Sequence, residues 1–273
     1  MNLPLVNPRI TLEWLASHTR GCTGEVAVID SGIDALHPRL AGRISRGCTV
    51  AANKRGQIII REVEGPKNRD NYGHGTAVAG IIADLAPSVR IVSVKVLNEY
   101  NSCTGDVLIA GLKWVLDQNI RLVNMSLTTS KPAYIPKLRD LCERAYVQNT
   151  IIVAARRNFG DMGCPAMFSS VISVDREDYI EKLRVHYRPK NMIEFDARGT
   201  QIKVLAPGGG YAIQSGTSFA TPHVCGMVAL LLEMFPGLTA MEAKSALKAF
   251  SESLSPERKP RGHSSRYTES TKP

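Results

Sequence analysis

The stretch Gly216-Thr217-Ser218-Phe219-Ala220-Thr221-Pro222-His223-Val224 opens an apolar segment that continues to residue 235. It follows a glycine-rich turn at residues 206–210, so a turn, a serine and a helical run come in order. This order predicts that Ser218 lies in the first turn of a buried helix, where free N–H groups and the helix dipole favour a developing negative charge. A nucleophilic serine needs such a place together with a base. Ser, Thr and Pro also occur at helix starts as simple caps, so the stretch alone leaves both interpretations open.

The composition indicates one large α/β domain. The chain has 273 residues, of which 44% are apolar and 22% are charged. This is enough to bury a single core. Aromatic residues are few, at 6%, while Gly, Ala, Val and Ile are plentiful. Such a composition favours a parallel sheet covered by helices on both faces.

Several classes of function are not expected. The first residues lack the basic and apolar regions of a signal peptide, and we predict no membrane partner. The six cysteines contain no CxxC pair, so they are interpreted as reduced thiols of a cytoplasmic protein rather than a disulfide framework or a zinc site. The net charge of +9 is spread among interleaved acids. We therefore expect a solvated basic surface and no nucleic-acid partner.

A repeating strand–helix pattern runs along the chain. The predicted strands are residues 25–30, 90–96, 120–127, 150–155 and 171–174, and the predicted helices are 105–118, 136–147 and 239–250. Residues 50–64 are interpreted as a surface excursion, and residues 179–205 as antiparallel strands. Consecutive βα units predict a doubly wound, mainly parallel sheet with helices on both faces.

Two further polar residues are placed for chemistry. Asp30 ends the first predicted strand, at the edge where open parallel sheets carry their ligands and catalytic groups. It could equally just begin a turn with Gly32. His74 lies just ahead of a helix rich in small residues, and its flanking glycines would let other groups approach it. A lone histidine of this kind is as readily structural as catalytic.

The three motifs together carry a resemblance. Ile29-Asp30-Ser31-Gly32, Gly73-His74-Gly75-Thr76 and Gly216-Thr217-Ser218 follow one another in the order Asp, His, Ser. In this the chain resembles the subtilisin-like serine proteases, from about residue 25 to about residue 250. The resemblance implies an N-terminal arm (residues 1–24), a catalytic domain (25–250) and a polar tail (251–273), which we predict to be disordered.

The resemblance also implies an enzyme that hydrolyses peptide bonds through an acyl-enzyme, with a peptide or protein substrate and no cofactor. Ser218 would be the nucleophile, His74 the base and Asp30 the residue that orients it. Asn158 would donate to the oxyanion, together with the Ser218 N–H. The substrate would lie between two edge segments and above a first specificity pocket. The implied substrate-binding residues are Asn101, Ser102, Cys103, Ser126, Leu127, Thr128, Ala155, Arg157 and Gly163.

Two departures from the family pattern concern specificity. Thr128 stands where the family usually has glycine, and its side chain would narrow the pocket rim. Arg156 and Arg157 stand where the family usually has Ala-Gly. A guanidinium there could exclude large apolar side chains or pair with acidic ones, which predicts a preference for small or acidic residues on the acyl side of the cut bond. The alternative is that both arginines point to solvent.

Other departures concern ions and processing. Residues 83–87 pass almost directly to the next strand, so the calcium loop of secreted relatives is not expected, and we predict no metal site. Only 29 residues precede Asp30, and no prodomain is expected among them. These features suit an intracellular processing protease, for example one that removes a leader peptide. Two alternatives stay open: a catalytically weak scaffold that binds peptides, and a transpeptidase or macrocyclase that uses the same acyl-enzyme.

Overall fold

The structure, a computed structural model, describes residues 10–22, 24–158 and 163–253. In these ranges the helices are α1 (Leu12–His18), α2 (His74–Leu85), α3 (Gly105–Asp117), α4 (Ile135–Val147), α5 (Thr217–Met234) and α6 (Ala240–Ser253). The strands are β1 (Glu25–Asp30), β2 (Ile44–Ala52), β3 (Ile58–Glu64), β4 (Arg90–Lys95), β5 (Leu122–Met125), β6 (Ile151–Ala155), β7 (Ile172–Glu177), β8 (Val185–Tyr187), β9 (Phe195–Arg198), β10 (Ile202–Ala206) and β11 (Gly210–Gln214).

Most strands form one sheet, in the order β3-β2-β4-β1-β5-β6-β7-β9-β8. The pairs from β2 to β9 are parallel, and only the outermost strands, β3 and β8, are antiparallel to their neighbours. Strand β1 lies between β4 and β5, so the strands that follow it in sequence are added on both of its sides. The predicted doubly wound, mainly parallel sheet is confirmed.

Alternation along β1 explains why both faces of the sheet are covered. Val26 and Val28 belong to the core cluster that also contains residues of α1, α2, α5 and α6. Ala27 and Ile29 point the other way, into the cluster formed with α3 and α4. Because successive side chains of a strand lie on opposite faces, an all-apolar strand needs a helical layer on each side.

Helix α5 runs through the larger of these cores. Its apolar residues face neighbours all around, so no polar stripe is left, as expected for a buried helix. By length and composition alone it could cross a membrane, with a mean hydropathy of 1.2. However, 83% of it is buried inside the fold, and core helices of soluble proteins pass the same test.

Two assignments from the sequence differ from the structure. Residues 50–64 are not an irregular excursion, because β2 and β3 pair there as an antiparallel hairpin. β3 is an edge strand that is mostly exposed, so its residues show no alternation of burial. In the region 179–205, only β8 and β9 form an antiparallel pair in the sheet, while β9 is parallel to β7 and β10 pairs with β11 outside it.

The C-terminal helix begins at the predicted place and is longer than predicted. Helix α6 starts after Thr239, and the Thr239 hydroxyl caps it by accepting from the Glu242 N–H at 3.2 Å. This helix continues past the predicted boundary at residue 250 to Ser253. The rest of the predicted tail, residues 254–273, and the arm residues 1–9 lie outside the described residues. All six cysteines are free.

One carboxylate connects the N-terminal arm to α5. Glu233, in the last turn of that helix, accepts hydrogen bonds from the backbone N–H groups of Arg20, Gly21 and Cys22 at 2.7, 2.5 and 2.9 Å. Burial raises the pKa of Glu233, but these bonds outweigh it and hold the pKa below its ordinary value. The carboxylate is thus ionised at neutral pH and fixes the chain just before β1.

Candidate active site

Asp30 is the last residue of β1 and is fully buried. Its Oδ1 accepts a hydrogen bond from the Ser31 N–H at 2.7 Å. Its backbone oxygen accepts from Val96 and Leu97, so the main chain is fixed as well. Its Oδ2 has no hydrogen-bond partner among the described residues. A buried carboxylate held in this way can neutralise a neighbouring cation without moving.

His74 is the first residue of α2, rather than lying ahead of the helix as predicted. Its Nδ1 is 2.7 Å from Asp30 Oδ1. The close approach requires Gly75, because a Cβ at that position would clash with the carbonyl oxygen of Gly32. The flanking Gly75 therefore lets another group approach His74, as predicted: the turn after β1 lies against the start of α2.

Electrostatics keep the His74 ring basic. Burial alone would lower the pKa of His74, but the charge of Asp30 and the hydrogen bond to it raise it, and Asp70 adds to this. The net result is a pKa above the ordinary value. A histidine in such a setting accepts a proton readily and is stabilised once it is charged.

Asp70 organises the loop that leads into α2, and the sequence analysis missed it. Its carboxylate accepts hydrogen bonds from the Ser31 hydroxyl and from the backbone of Tyr72, Gly73 and Thr76, and also from the Thr76 hydroxyl, at 2.6–3.1 Å. These bonds tie the Asp30 turn to the His74 turn. The available signal was an Asp two residues before a turn, since aspartate caps its own following backbone.

Ser218 is the second residue of α5 and is held by β5. Its Oγ donates to the Ser126 carbonyl oxygen at 3.1 Å, while the Ser126 hydroxyl donates to the Ser218 carbonyl oxygen at 2.9 Å. Asn124 supports Ser126 through a further hydrogen bond of 2.9 Å. Within the described residues the structure joins Asp30 to His74 but shows no hydrogen bond from Ser218 to His74. Both side chains nevertheless line the same groove.

Asn158 follows β6 and reaches the start of α5. Its Oδ1 accepts from the Thr217 N–H at 3.0 Å and from the Thr217 hydroxyl at 3.2 Å. Because the oxygen is used in this way, the Nδ2 group remains as the donor of the carboxamide, and it has no partner within residues 10–22, 24–158 and 163–253. Asn158 is exposed, and its partner Thr217 directly precedes Ser218 in the chain. This arrangement can present two donors to one oxygen atom.

A groove of about 410 Å³ contains Ser218 and His74. Of the predicted substrate-binding residues, those that line it are Asn101, Ser102, Cys103, Ser126, Leu127, Thr128 and Arg157. The apolar residues Leu97 and Leu108, which were not predicted, form part of its wall. Burial raises the pKa of Cys103 to about 11, so that side chain lines the groove as a neutral thiol.

Ala155 and Gly163 do not line this groove. Ala155 is buried within β6. Gly163 lies against Thr128, since a Cβ on the glycine would be 2.8 Å from both Cβ and Oγ1 of the threonine. Next to this contact, Thr129 and Cys164 pair through two backbone hydrogen bonds of 2.8 and 3.0 Å. Thr128 thus fills space that a glycine would leave open.

The two arginines point to different places. Arg156 lies 3.5 Å from the carboxylate of Asp175, which removes it from the groove. Arg157 lines the groove, where its Nη1 donates to the Ser130 hydroxyl at 3.3 Å. Lys131 lies in the same wall, and no carboxylate is present among the described lining residues. The groove therefore carries positive charge.

The sequence matches a known protein family and several of its members. The model of the subtilase family matches residues 24–266. An intracellular serine protease of Paenibacillus polymyxa is 33% identical over 234 residues, which cover 80% of this chain and 69% of that protein. Subtilisin DY of Bacillus licheniformis is 30% identical over 259 residues, or 86% of each chain.

Solved structures agree with the sequence matches. A cold-adapted subtilisin-like serine proteinase superposes with a TM-score of 0.68 at 29% identity, covering 85% of this chain and 83% of that chain. Sphericase superposes with a TM-score of 0.69 at 25% identity, covering 84% and 83%. The matching family model, relatives and fold show that this chain belongs to the subtilase family and is a serine endopeptidase.

Proposed function

We propose that this subtilase is a narrow-specificity processing endopeptidase, which cuts peptide or protein substrates after small or acidic residues. The observation that carries the proposal is the wall of the groove formed by Thr128 and Arg157. One side chain reduces the available space, and the other adds a positive charge. A secreted digestive enzyme gains from a wide neutral pocket, whereas a processing enzyme gains from discrimination against most sequences.

In the proposed mechanism, Ser218 Oγ turns from the Ser126 carbonyl toward His74 and attacks the scissile carbonyl carbon. His74 takes the hydroxyl proton and then gives it to the leaving amine as the C–N bond breaks, which leaves an acyl ester on Ser218. Water repeats the sequence and releases the carboxylic acid product. Asp30 holds the ring through Nδ1 and stabilises the imidazolium that forms in both steps.

The oxyanion of each tetrahedral intermediate would be bound by Asn158 Nδ2 and the Ser218 N–H. The bonds from Thr217 to Asn158 Oδ1 support this role, because they fix the carboxamide before substrate arrives. A donor that is already in place costs no reorganisation at the moment of reaction, and losing one typically reduces the rate by about 10² to 10³.

The charge of the groove supports acidic specificity. Arg157 is exposed, and among the described residues its guanidinium bonds to a neutral hydroxyl alone, so most of its donors face no partner there. A carboxylate of the substrate would pair with it through charge-assisted hydrogen bonds. Lys131, nearby in the same wall, would add long-range attraction.

We further propose that the enzyme acts in the cytoplasm. It is similar to a protease described as intracellular, and its six cysteines are all free, as suits a reducing compartment. Removal of a leader from a peptide precursor is a task that fits both narrow specificity and this location.

The test is a cleavage-site profile on a proteome-derived peptide library. We expect cleavage after Glu, Asp and small residues. Arg157→Gln should reduce kcat/KM for acidic substrates about tenfold or more, since a hydrogen bond to a charged group is worth about 1.5–3 kcal/mol. Arg156→Gln is the matched control, because that guanidinium faces Asp175, and it should leave the profile unchanged. A profile dominated by large aromatic residues would overturn the proposal.

A further inference from the structure

A second cavity, of about 370 Å³, lies apart from the catalytic groove and shares no lining residue with it. One wall comes from the outer face of α2 and another from the hairpin of β10 and β11. His223, on α5, closes a further part of the wall. The cavity therefore lies beside the two helices whose first turns carry His74 and Ser218.

The lining of this cavity is strongly basic. Five cationic side chains and one carboxylate contribute to it: Arg39, Arg43, Lys182, Arg198, Lys203 and Asp84. Asp84 forms ion pairs with two of the cations, Arg39 at 3.6 Å and Lys182 in closer contact. In the described part of the chain, the other three cations have no carboxylate within ion-pair distance. The positive charge around the cavity is thus largely uncompensated.

Arg198 is the most informative of these residues. Its Nε atom is buried and has no hydrogen-bond partner among the described residues. A guanidinium presents five N–H donors in a rigid fork, and a buried donor without a partner is costly. The half-buried side chain of Arg198 lines the cavity, and the remaining N–H donors of its guanidinium suit an anion bound there.

Two other cations and the histidine of the lining have contacts of their own. Arg43 donates to the backbone oxygen of Pro87, and Lys203 lies 4.6 Å from the centre of the Tyr211 ring. His223 uses Nδ1 for a hydrogen bond to the Phe219 backbone oxygen at 2.8 Å. Burial lowers the pKa of His223 to about 4, so this ring is neutral at pH 7 and does not add to the charge.

We propose that this cavity is a binding site for a small multivalent oxyanion, one that bears phosphate groups. Several cations arranged around a concave, partly open space suit a compact ligand that has several negative oxygens. The surrounding low-dielectric wall strengthens each of these interactions relative to those on an open surface. Binding would stabilise the folded enzyme, because the site is made from segments that are distant in the sequence.

Inorganic pyrophosphate and inorganic phosphate are the probes, titrated by calorimetry and by thermal melting into full-length enzyme. Ionic strength is held constant with NaCl, so that general screening is separated from specific binding. We expect saturable binding, a melting temperature that rises with pyrophosphate concentration, and a smaller effect of phosphate. Acetate at the same ionic strength should have no effect.

Arg198→Gln and Lys203→Gln should each raise the Kd for pyrophosphate about tenfold or more, as loss of a hydrogen bond to a charged group predicts. The ligand-free melting temperature of Arg198→Gln should not fall, because a buried N–H donor that has no partner among the described residues is removed. Lys113→Gln is the control: this lysine is exposed on α3, pairs with Asp117 at 2.7 Å and lies outside the cavity.

Three results would overturn the proposal: no saturable heat, a melting shift that NaCl reproduces, or equal affinity in wild type and both cavity variants. If Arg198→Gln does not fold, Lys203→Gln gives the same information, since Lys203 is on the exposed side of β10. Cleavage of a peptide substrate by Lys203→Gln should stay at the wild-type rate, which separates this site from the catalytic groove.

Discussion

The two walls of the catalytic groove are built in opposite ways. On one side, His74 lines the groove and is held from behind by a buried network of short hydrogen bonds that includes Asp30 and Asp70. On the other side, Arg157 is exposed and makes one long hydrogen bond to Ser130. The first wall is rigid before substrate arrives, while the second can adapt to what is bound.

This difference assigns different tasks to the two walls. A fixed carboxylate and a fixed imidazole reduce the reorganisation needed for proton transfer, which is independent of the substrate sequence. On the function proposed above, side chains at the exposed wall would discriminate among substrates, and their exposure should let them be exchanged without loss of the fold. Variants on the first wall should therefore reduce turnover for every substrate, whereas variants on the second should change which substrate is preferred.

The largest effect is expected for Ser218→Ala. Loss of the nucleophile should reduce kcat by about 10⁶, the size of loss known for the corresponding change in subtilisin. Labelling by a fluorophosphonate probe should disappear. The melting temperature should change little, because among the described residues the Ser218 hydroxyl donates a single hydrogen bond, of 3.1 Å, to the Ser126 carbonyl oxygen. Labelling that persists in this variant would mean that the nucleophile lies elsewhere.

Asp30→Asn should reduce kcat by about 10⁴, because the amide no longer stabilises the imidazolium or selects the ring tautomer. The pH dependence provides a second measurement. In wild type, kcat/KM should fall as pH decreases through a His74 pKa that Asp30 holds above its ordinary value. Without the carboxylate, burial lowers that pKa, so the acid limb should move to lower pH. If the acid limb stays at the same pH, Asp30 does not control the pKa of His74.

Asp70→Asn tests whether the rigid wall depends on its loop. The amide Nδ2 would face N–H donors that the carboxylate now accepts from, at a cost of about 2–3 kcal/mol. For a domain of this size the melting temperature should fall by roughly 5–10 °C. Asp140→Asn, on the exposed surface of α4, is the control and should have no measurable effect. Equal stability of the two variants would contradict a role for Asp70 in holding the loop.

The smallest expected effect concerns the adaptable wall. Thr128→Gly removes the side chain that packs on Gly163, so larger residues should be accepted on the acyl side of the cut bond. The ratio of kcat/KM between large and small side chains should rise about tenfold, as is usual for a change of a few methyl-sized groups. Thr128→Ser should give an intermediate ratio. No change in the ratio would show that Thr128 does not limit the pocket.

Asp30, His74 and Ser218 could be predicted from the sequence, because the signals for each of them are local. Asp30 ends an apolar strand, His74 has a glycine on each side, and Ser218 follows a glycine-rich turn before a buried helix. Each signal occupies a few adjacent residues. The order of the three motifs then joins positions that the fold brings near one another.

The remaining features depend on contacts between distant residues. Asp70 signals a turn locally, but its bond from the Ser31 hydroxyl joins positions 39 residues apart, which no local pattern connects. The directions of Arg156 and Arg157 differ because one meets Asp175, on a neighbouring strand, and the other does not. The β2–β3 hairpin was missed for a related reason: an edge strand that is exposed on both faces has no alternating pattern to reveal it.

The bonds from Glu233 to residues 20–22 have a consequence if one copy of the enzyme cuts another before β1. These bonds hold the N-terminal arm without the peptide link to β1. The arm is also held by its short helix α1, whose side chains Leu12 and Leu15 are buried. Self-cleavage between Cys22 and Glu25 would therefore leave the severed segment bound. The nicked enzyme would migrate as one species under native conditions and separate only in denaturant, with its nucleophile still in place.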